Sequence, residues 1–192
     1  TDSGLSPGLF LDQRRNRRWV RGNSRGLKVL NLFCYTGGFS VSAALGGASQ
    51  TVSVDVSRVF LDWTKRNFEL NQIPFESRSI ESGAPESETT ESARHEFRAM
   101  DSREYLAWAK KKGLRFDLII CDPPSFGRSR AGVFKIEKDF ASLLGSLLDV
   151  TSPGGRILFA SNFEQWTPEE FGTRSLAVAH DRGQRISLMP TP

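Results

Sequence analysis

Apolar positions fall into short unbroken runs separated by turn-forming stretches, and the runs alternate with segments of helical spacing. LKVLNLF (Leu27 to Phe33) has no helical period, ends in CYTGG (Cys34 to Gly38) and continues as FSVSAALGG (Phe39 to Gly47). That order predicts strand, tight turn, helix. QTVSVDV (Gln50 to Val56) is β-branched and stops at Asp55, after which Ser57 is expected to cap a helix with Val59, Phe60, Trp63 and Phe68 on its apolar face. Between Phe75 and Phe97 the pattern dissolves into a Ser/Glu-rich stretch with few apolar anchors. Residues 76–96 are therefore read as a mobile acidic insertion.

Regularity returns with EFRAMD (Glu96 to Asp101), a predicted strand, and SREYLAWAKKKG (Ser102 to Gly113), a predicted helix capped by Ser102 and stopped by Gly113. FDLIICD (Phe116 to Asp122) is a buried-strand run closed by Pro123 and Pro124. A helix is expected over Phe134 to Val150, then a SPGG turn (Ser152 to Gly155), a strand RILFAS (Arg156 to Ser161), a helix near Pro168 to His180, and a strand RISLM (Arg185 to Met189). The βαβα alternation predicts an α/β fold with a mostly parallel, Rossmann-like central sheet and helices on both faces. The expected layout is a basic N-terminal segment, residues 1–26, contributing to the site, and a Rossmann-like domain over residues 27–192.

Composition narrows the class. The 192 residues are 38% hydrophobic and 25% charged, enough to bury a core rather than stay disordered. No apolar run approaches the ~20 residues of a membrane span and no signal-peptide order opens the chain, so a cytoplasmic, non-membrane protein is expected. It starts at Thr1 rather than methionine, which predicts a piece of a longer protein, with an additional RNA-binding domain elsewhere. Cys34 and Cys121 lie in apolar segments without a second pair or neighbouring histidines, so neither a disulfide framework nor a metal site is expected. Residues 1–30 hold seven Lys and Arg against two Asp and Glu, an excess larger than the +4 of the whole chain. The run Arg14 to Arg18, extended by Arg21, Arg25 and Lys28, suits either nucleic-acid phosphates or an ordinary solvated face.

Open parallel sheets bind ligands at the carboxyl ends of their strands. Four such ends are chemically marked: CYTGG, Asp55, Asp101, and Asp122-Pro123-Pro124. Gly37 and Gly38 permit a tight turn, and Asp55 follows Gly37 at close to the ~20 residues at which a carboxylate meets a ribose diol. An NAD site stays open at this point, although the turn does not spell G-x-G-x-x-G. Asp101 suits a helix cap or the amino group of an adenine. The double proline stiffens a loop in which Phe126 offers a stacking face. S-adenosylmethionine (SAM), lacking a pyrophosphate, fits these side chains better than NAD.

On LFLDQRRNR (Leu9 to Arg17), VLNLFCYTGGFSV (Val29 to Val41), SVDVSRVFLDWTKRNFELN (Ser53 to Asn71) and DLIICDPPSF (Asp117 to Phe126), the chain resembles the SAM-dependent large-subunit (23S) ribosomal RNA methyltransferase family. The resemblance implies a class I methyltransferase fold, SAM as methyl donor and ribosomal RNA as acceptor. It implies that Gln13 and Arg14 hold the methionine carboxylate, that the stretch with Asn31, Phe33, Tyr35, Thr36 and Gly37 forms the cofactor loop, and that Asp55 and Val56 meet the ribose. Asp101 and Ser102 would meet the adenine, with Asp122 and Pro123 completing the cofactor side. Arg15, Arg17 and Arg18 would remain for RNA. Such sheets normally end in a seventh, antiparallel strand, for which the chain shows no candidate, and the 76–96 insertion is longer than the family's usual connection.

Target atom separates the branches. Cytosine carbon-5 needs a thiolate to add to the ring, and the cytosine enzymes place a cysteine at the end of the fifth strand. ASNF (Ala160 to Phe163) has Asn162 there, which resembles the guanine-N7 branch. Asp122 and Asn162 are then expected to orient the base and Phe126 to stack on it. The alternatives are a cytosine carbon-5 enzyme using Cys121 or Cys34, and a noncatalytic SAM- or RNA-binding module. Strand alternation turns Cys121 away from Asp122, toward the core.

Overall fold

A computed structural model describes residues 8–75, 95–129 and 132–190 of the chain. Five strands form one sheet: β1 (Lys28–Leu32), β2 (Gln50–Asp55), β3 (His95–Ala99), β4 (Phe116–Cys121) and β7 (Thr151–Phe159). Their spatial order is β3-β2-β1-β4-β7, and every pairing is parallel. A separate antiparallel hairpin, β5 (Phe126–Ser129) and β6 (Gly132–Lys135), stands between β4 and the next helix. The helices are α1 (Arg14–Gly22), α2 (Gly38–Leu45), α3 (Arg58–Leu70), α4 (Ser102–Lys111), α5 (Ile136–Val150) and α6 (Pro168–Asp181).

Alternation along the central strands builds two cores, because buried parallel strands carry apolar side chains on both faces. Leu30, Leu32, Val52, Val54, Ile119 and Cys121 face α4 and α5. Val29, Leu118 and Ile120 face the other way, against Val20 of α1 and Phe39 and Ala43 of α2. On that second face β1 and β2 also carry polar groups, and these are paired. The Asn31 amide donates to Ser40 Oγ at 2.9 Å, and Ser53 Oγ donates to the same oxygen at 2.7 Å, so α2 is tied to the sheet by a short buried chain.

The N-terminal arginine run, for which the sequence pattern assigned no element, is the helix α1. Val20 seals its inner face, and the backbone of Arg21 comes so close to Gly46 that an added Cβ there would lie 2.1 Å from the Arg21 carbonyl. Several other expectations are corrected. Asp101, not Ser102, caps α4, its carboxylate accepting from the Arg103 N–H at 2.8 Å; Ser102 is the first helical residue. Ser57 does cap α3, accepting from Phe60 N, but the buried face of that helix is Leu61, Thr64 and Phe68, with Val59 exposed. The helix expected from Phe134 begins at Ile136, because Phe134 belongs to β6. The SPGG segment lies within β7 rather than in a turn before it. No strand forms over 185–189, where Leu188 and Met189 are exposed. Of the expected insertion, residues 76–94 lie outside the described residues, and His95 and Glu96 already pair in β3. No helix among the described residues is long and apolar enough to cross a membrane.

Candidate functional site

Strand order reverses between β1 and β4: the chain passes outward through β2 and β3, then crosses back to β4 on the other side of β1. A crevice opens where neighbouring connections leave in opposite directions, at the carboxyl ends of these strands. The four marked strand ends converge there.

The turn after β1 is held in an unusual backbone path. Phe33, Tyr35 and Gly37 all have positive φ, at 53°, 49° and 77°. For two bulky residues this conformation is costly and needs support from its surroundings. Tyr35 N–H donates to Asp55 Oδ2 at 2.9 Å, Thr64 Oγ1 to the Tyr35 carbonyl at 3.1 Å, and Asn67 Nδ2 to the Thr36 carbonyl at 2.8 Å. Phe33 N–H reaches Ser102 Oγ at 3.3 Å. A Cβ on Gly37 would lie 2.2 Å from Thr64 Cγ2, so glycine is required by the packing of α3 as well as by its φ.

Residues 8–12 strap this turn from outside. Thr36 Oγ1 donates to the Gly8 carbonyl at 2.5 Å, Phe10 packs its ring 5.4 Å from that of Tyr35, and Arg17 donates to the Phe10 carbonyl at 2.6 Å. Arg17 is therefore spent on the strap, half-buried, with its basicity lowered by burial. This corrects its expected place on an open basic face. Gln13 is the residue before α1 and accepts from the Asn16 amide at 2.7 Å; Arg14, Arg15 and Arg18 are exposed. Asn31, placed by resemblance among the cofactor loop residues, lies beneath that loop, 1% exposed, and supports it through Ser40.

One cleft gathers Phe33, Asp55, Val56, Asp101, Ser102 and Pro124 with Arg103, Gly127 and Phe134. Asp55 is buried, its Oδ1 accepting from Ser57 N–H at 2.9 Å and its Oδ2 from Tyr35. Burial raises its pKa, and the backbone N–H groups oppose that push. Each oxygen keeps a further lone pair for a hydroxyl donor. Arg103 grips Asp101 with Nε and one terminal nitrogen, both at 3.2 Å, and lies 5.8 Å from the Phe134 ring. The space left is about 80 Å³, below the ~300–1,000 Å³ of typical small-molecule sites, because the arginine lies along it. The chemistry of the walls is that of a nucleoside site: apolar faces from Phe33, Val56, Pro124 and Phe134, and carboxylate acceptors from Asp55 and Asp101.

Beside the cleft, the Asp122-Pro123-Pro124 loop joins β4 to the hairpin. Ser125 Oγ donates to Asn162 Oδ1 at 2.6 Å, which binds the loop to the end of β7. Asp122 has its pKa pushed up to about 6 by burial, with the Asp12 carboxylate adding to the effect. Phe126 is 51% exposed, and the Lys135 ammonium lies 6.0 Å from its ring centroid. Cys121 is fully buried in the core that α4 and α5 cover, Cys34 is buried within the turn, and burial raises both thiols well above their ordinary value. Arg103 and Phe134 carry no motif that would mark them in advance; Asp12, inside LFLDQR, and Thr64, inside SVDVSRVFLDWTKRNFELN, stood in segments already singled out but with no role attached.

Residues 3–82 match the profile of the S-adenosylmethionine-dependent methyltransferase family. The chain is 37% identical over 179 residues to the ribosomal RNA large subunit methyltransferase K of Neisseria meningitidis, an alignment covering 92% of this chain and 46% of that protein. It superposes on the crystal structure of SMU.776 complexed with SAH with a TM-score of 0.76 at 33% identity, covering 90% of this chain and 41% of that one. A SAM-dependent methyltransferase from Agrobacterium tumefaciens superposes with a TM-score of 0.72 at 25% identity, covering 89% and 51%. The chain thus spans about half the length, or less, of the relatives it matches.

Proposed function

We propose, on the premise that the chain belongs to the S-adenosylmethionine-dependent methyltransferase family, that it binds SAM in the crevice between β1 and β4 and methylates ribosomal RNA of the large subunit, at guanine N7. The observation that carries this reading is the convergence of Asp55, Asp101 and the Asp122-Pro123-Pro124 loop on one apolar-walled cleft.

The residues present fit an adenosyl group. Asp55 would accept from the ribose hydroxyls beside Val56, and Asp101 and Ser102 would face the adenine edge once Arg103 yields its place. Gln13 and Arg14, at the start of α1 next to the strapped turn, would hold the amino-acid end. Tyr35, Thr36 and Gly37 act through the shape of that turn, and Pro123 stiffens the wall opposite it. When bound, SAM supplies a methyl group on a positively charged sulfur.

The protein's remaining task is to hold the acceptor base. Phe126 offers an exposed ring for stacking, and Asp122 and the Ser125-linked Asn162 offer hydrogen bonds to its edge. A guanine N7 has an in-plane lone pair and needs no covalent helper, so orientation alone supplies much of the acceleration. The target nucleotide has to be single-stranded or flipped out of its stack for Phe126 to reach it. Two buried, high-pKa thiols favour this reading over cytosine carbon-5 chemistry, which needs an accessible thiolate.

Nucleoside mapping of large-subunit RNA treated with the protein and SAM tests the acceptor. 7-Methylguanosine is expected, and Cys121→Ser is expected to retain activity; 5-methylcytidine, lost in Cys121→Ser, would overturn the assignment. The cofactor site has its own test. Asp55→Ala should weaken SAM binding by about 1–3 kcal/mol by calorimetry through lost charge-assisted hydrogen bonds, and an unchanged affinity removes Asp55 from the site.

A further inference from the structure

A second cavity lies far from the cleft, at the amino ends of β1 and β4. It measures about 440 Å³ and is walled by Gly22, Asn23, Arg25, Asp117, Gly154 and Arg156, among others. We infer that this cavity is a second anchor for the RNA, taking a backbone phosphate of the strand whose target base occupies the site; the inference rests on the RNA-acceptor reading above.

Two arginines, Arg25 and Arg156, line the cavity without a carboxylate partner among the described residues. Arg25 makes no side-chain bond there, and Arg156 donates to the neutral Asn23 Oδ1 at 3.0 Å. That bond aims the Arg156 group while leaving its other N–H donors and its full charge available. The one carboxylate on the wall, Asp117, accepts from the Lys28 backbone N–H at 2.9 Å. The C-terminal end of α1 brings about half a negative charge to the same place, which two cations outweigh. The walls are low where glycine forms them: a Cβ at Gly22 or Gly154 would meet nothing within 4 Å. An open, cation-lined recess with planar donors suits a phosphodiester better than a closed site for a small molecule.

The course of α1 says why the ligand is a strand rather than a free anion. Its first turn lies at the strapped turn of the cofactor site, where Arg17 reaches Phe10, and its last residues, Gly22 and Asn23, line the distal cavity. Arg18 and Arg21 follow Arg14, at the cofactor end of the helix, at i+4 and i+7 on one helix face, both exposed and without carboxylate partners among the described residues. Seven residues rise by about 10 Å, so this face is a positively charged ridge leading from the site mouth toward Arg25 and Arg156. A backbone leaving the site along that ridge ends in the cavity.

Fluorescence anisotropy with a labelled, 20-nucleotide mixed-sequence single-stranded RNA, titrated across a salt series, tests the anchor. In R25Q/R156Q the affinity at low salt should fall on the order of tenfold, and the log–log salt slope should shrink by about 0.7, the loss expected for one single-strand phosphate contact. R25K/R156K should keep the slope, and both variants should keep the parent's SAM affinity. Arg25 makes no side-chain bond among the described residues, so R25Q alone, with half the slope change, serves if the double variant melts early. Parent-like binding and slope in R25Q/R156Q overturn the anchor while leaving the RNA-acceptor reading in place. Absence of RNA binding by the parent chain overturns both.

Discussion

Asp122 is a carboxylate whose surroundings favour its neutral form. Burial and the nearby Asp12 raise it from 3.8 to about 6. The folded state therefore holds this proton more tightly than the unfolded chain does, and the stabilisation is present below about pH 4 and lost as pH rises toward 6 and beyond. Asp122→Asn should match the parent at pH 3.5 and exceed its stability at pH 7.5 by about 1–3 kcal/mol in urea melts. Equal stability at both values would show that the carboxylate is not strained by its site. Retaining a group that costs stability at neutral pH is common where it meets a ligand. Residue identities at the strand ends were legible in the sequence because short apolar runs stop abruptly at Asp55 and Asp122. What Asn31 and Arg17 do was not, since a local pattern does not say that Ser40 or the Phe10 carbonyl will lie within reach.

Among the elements, the β5–β6 hairpin decides the shape of the cleft. Phe134 pairs opposite Gly127, is buried, and lies 6.0 Å ring to ring from Phe33 at the site. Phe134→Ala should cost about 3–4 kcal/mol in stability and also weaken SAM binding, because the same ring is a wall of the cleft proposed to hold the cofactor. Denaturant melts and calorimetry separate the two effects; a destabilised variant with parent-like SAM affinity would remove Phe134 from the cofactor wall. The hairpin was missed because Gly132 to Lys135 joins smoothly onto the helical pattern of α5, and a four-residue strand carries too little period to stand out. The cap of α4 was misplaced by one residue for a related reason. Asp101 and Ser102 are both good caps, and only the direction of the Arg103 N–H chooses between them.

At the scale of the whole molecule, α1 turns a basic segment into a ridge along the full depth of the sheet. Exposed Arg15 and Arg18 do not pair with carboxylates among the described residues, whereas Arg17 is occupied by the strap. Changing Arg15 and Arg18 together to Gln should reduce the salt dependence of RNA binding by about 1.4 in slope, while Arg17→Gln should chiefly lower thermal stability through loss of the strap. A salt slope unchanged in the double variant would mark that face as merely solvated.

The sequence by itself determined the parallel α/β architecture, the strand ends that carry chemistry and the methyltransferase family the chain resembles. These are written locally, in the alternation of apolar runs and in short contiguous motifs. Only the tertiary structure decided how those ends meet: the reversal between β1 and β4, the left-handed turn propped by α3, the Arg103–Asp101 pair in the cleft, and the distal cavity shared by Arg25 and Arg156. Each joins residues distant in the chain, and the free energy of such contacts depends on distance and burial in space, which no local pattern encodes.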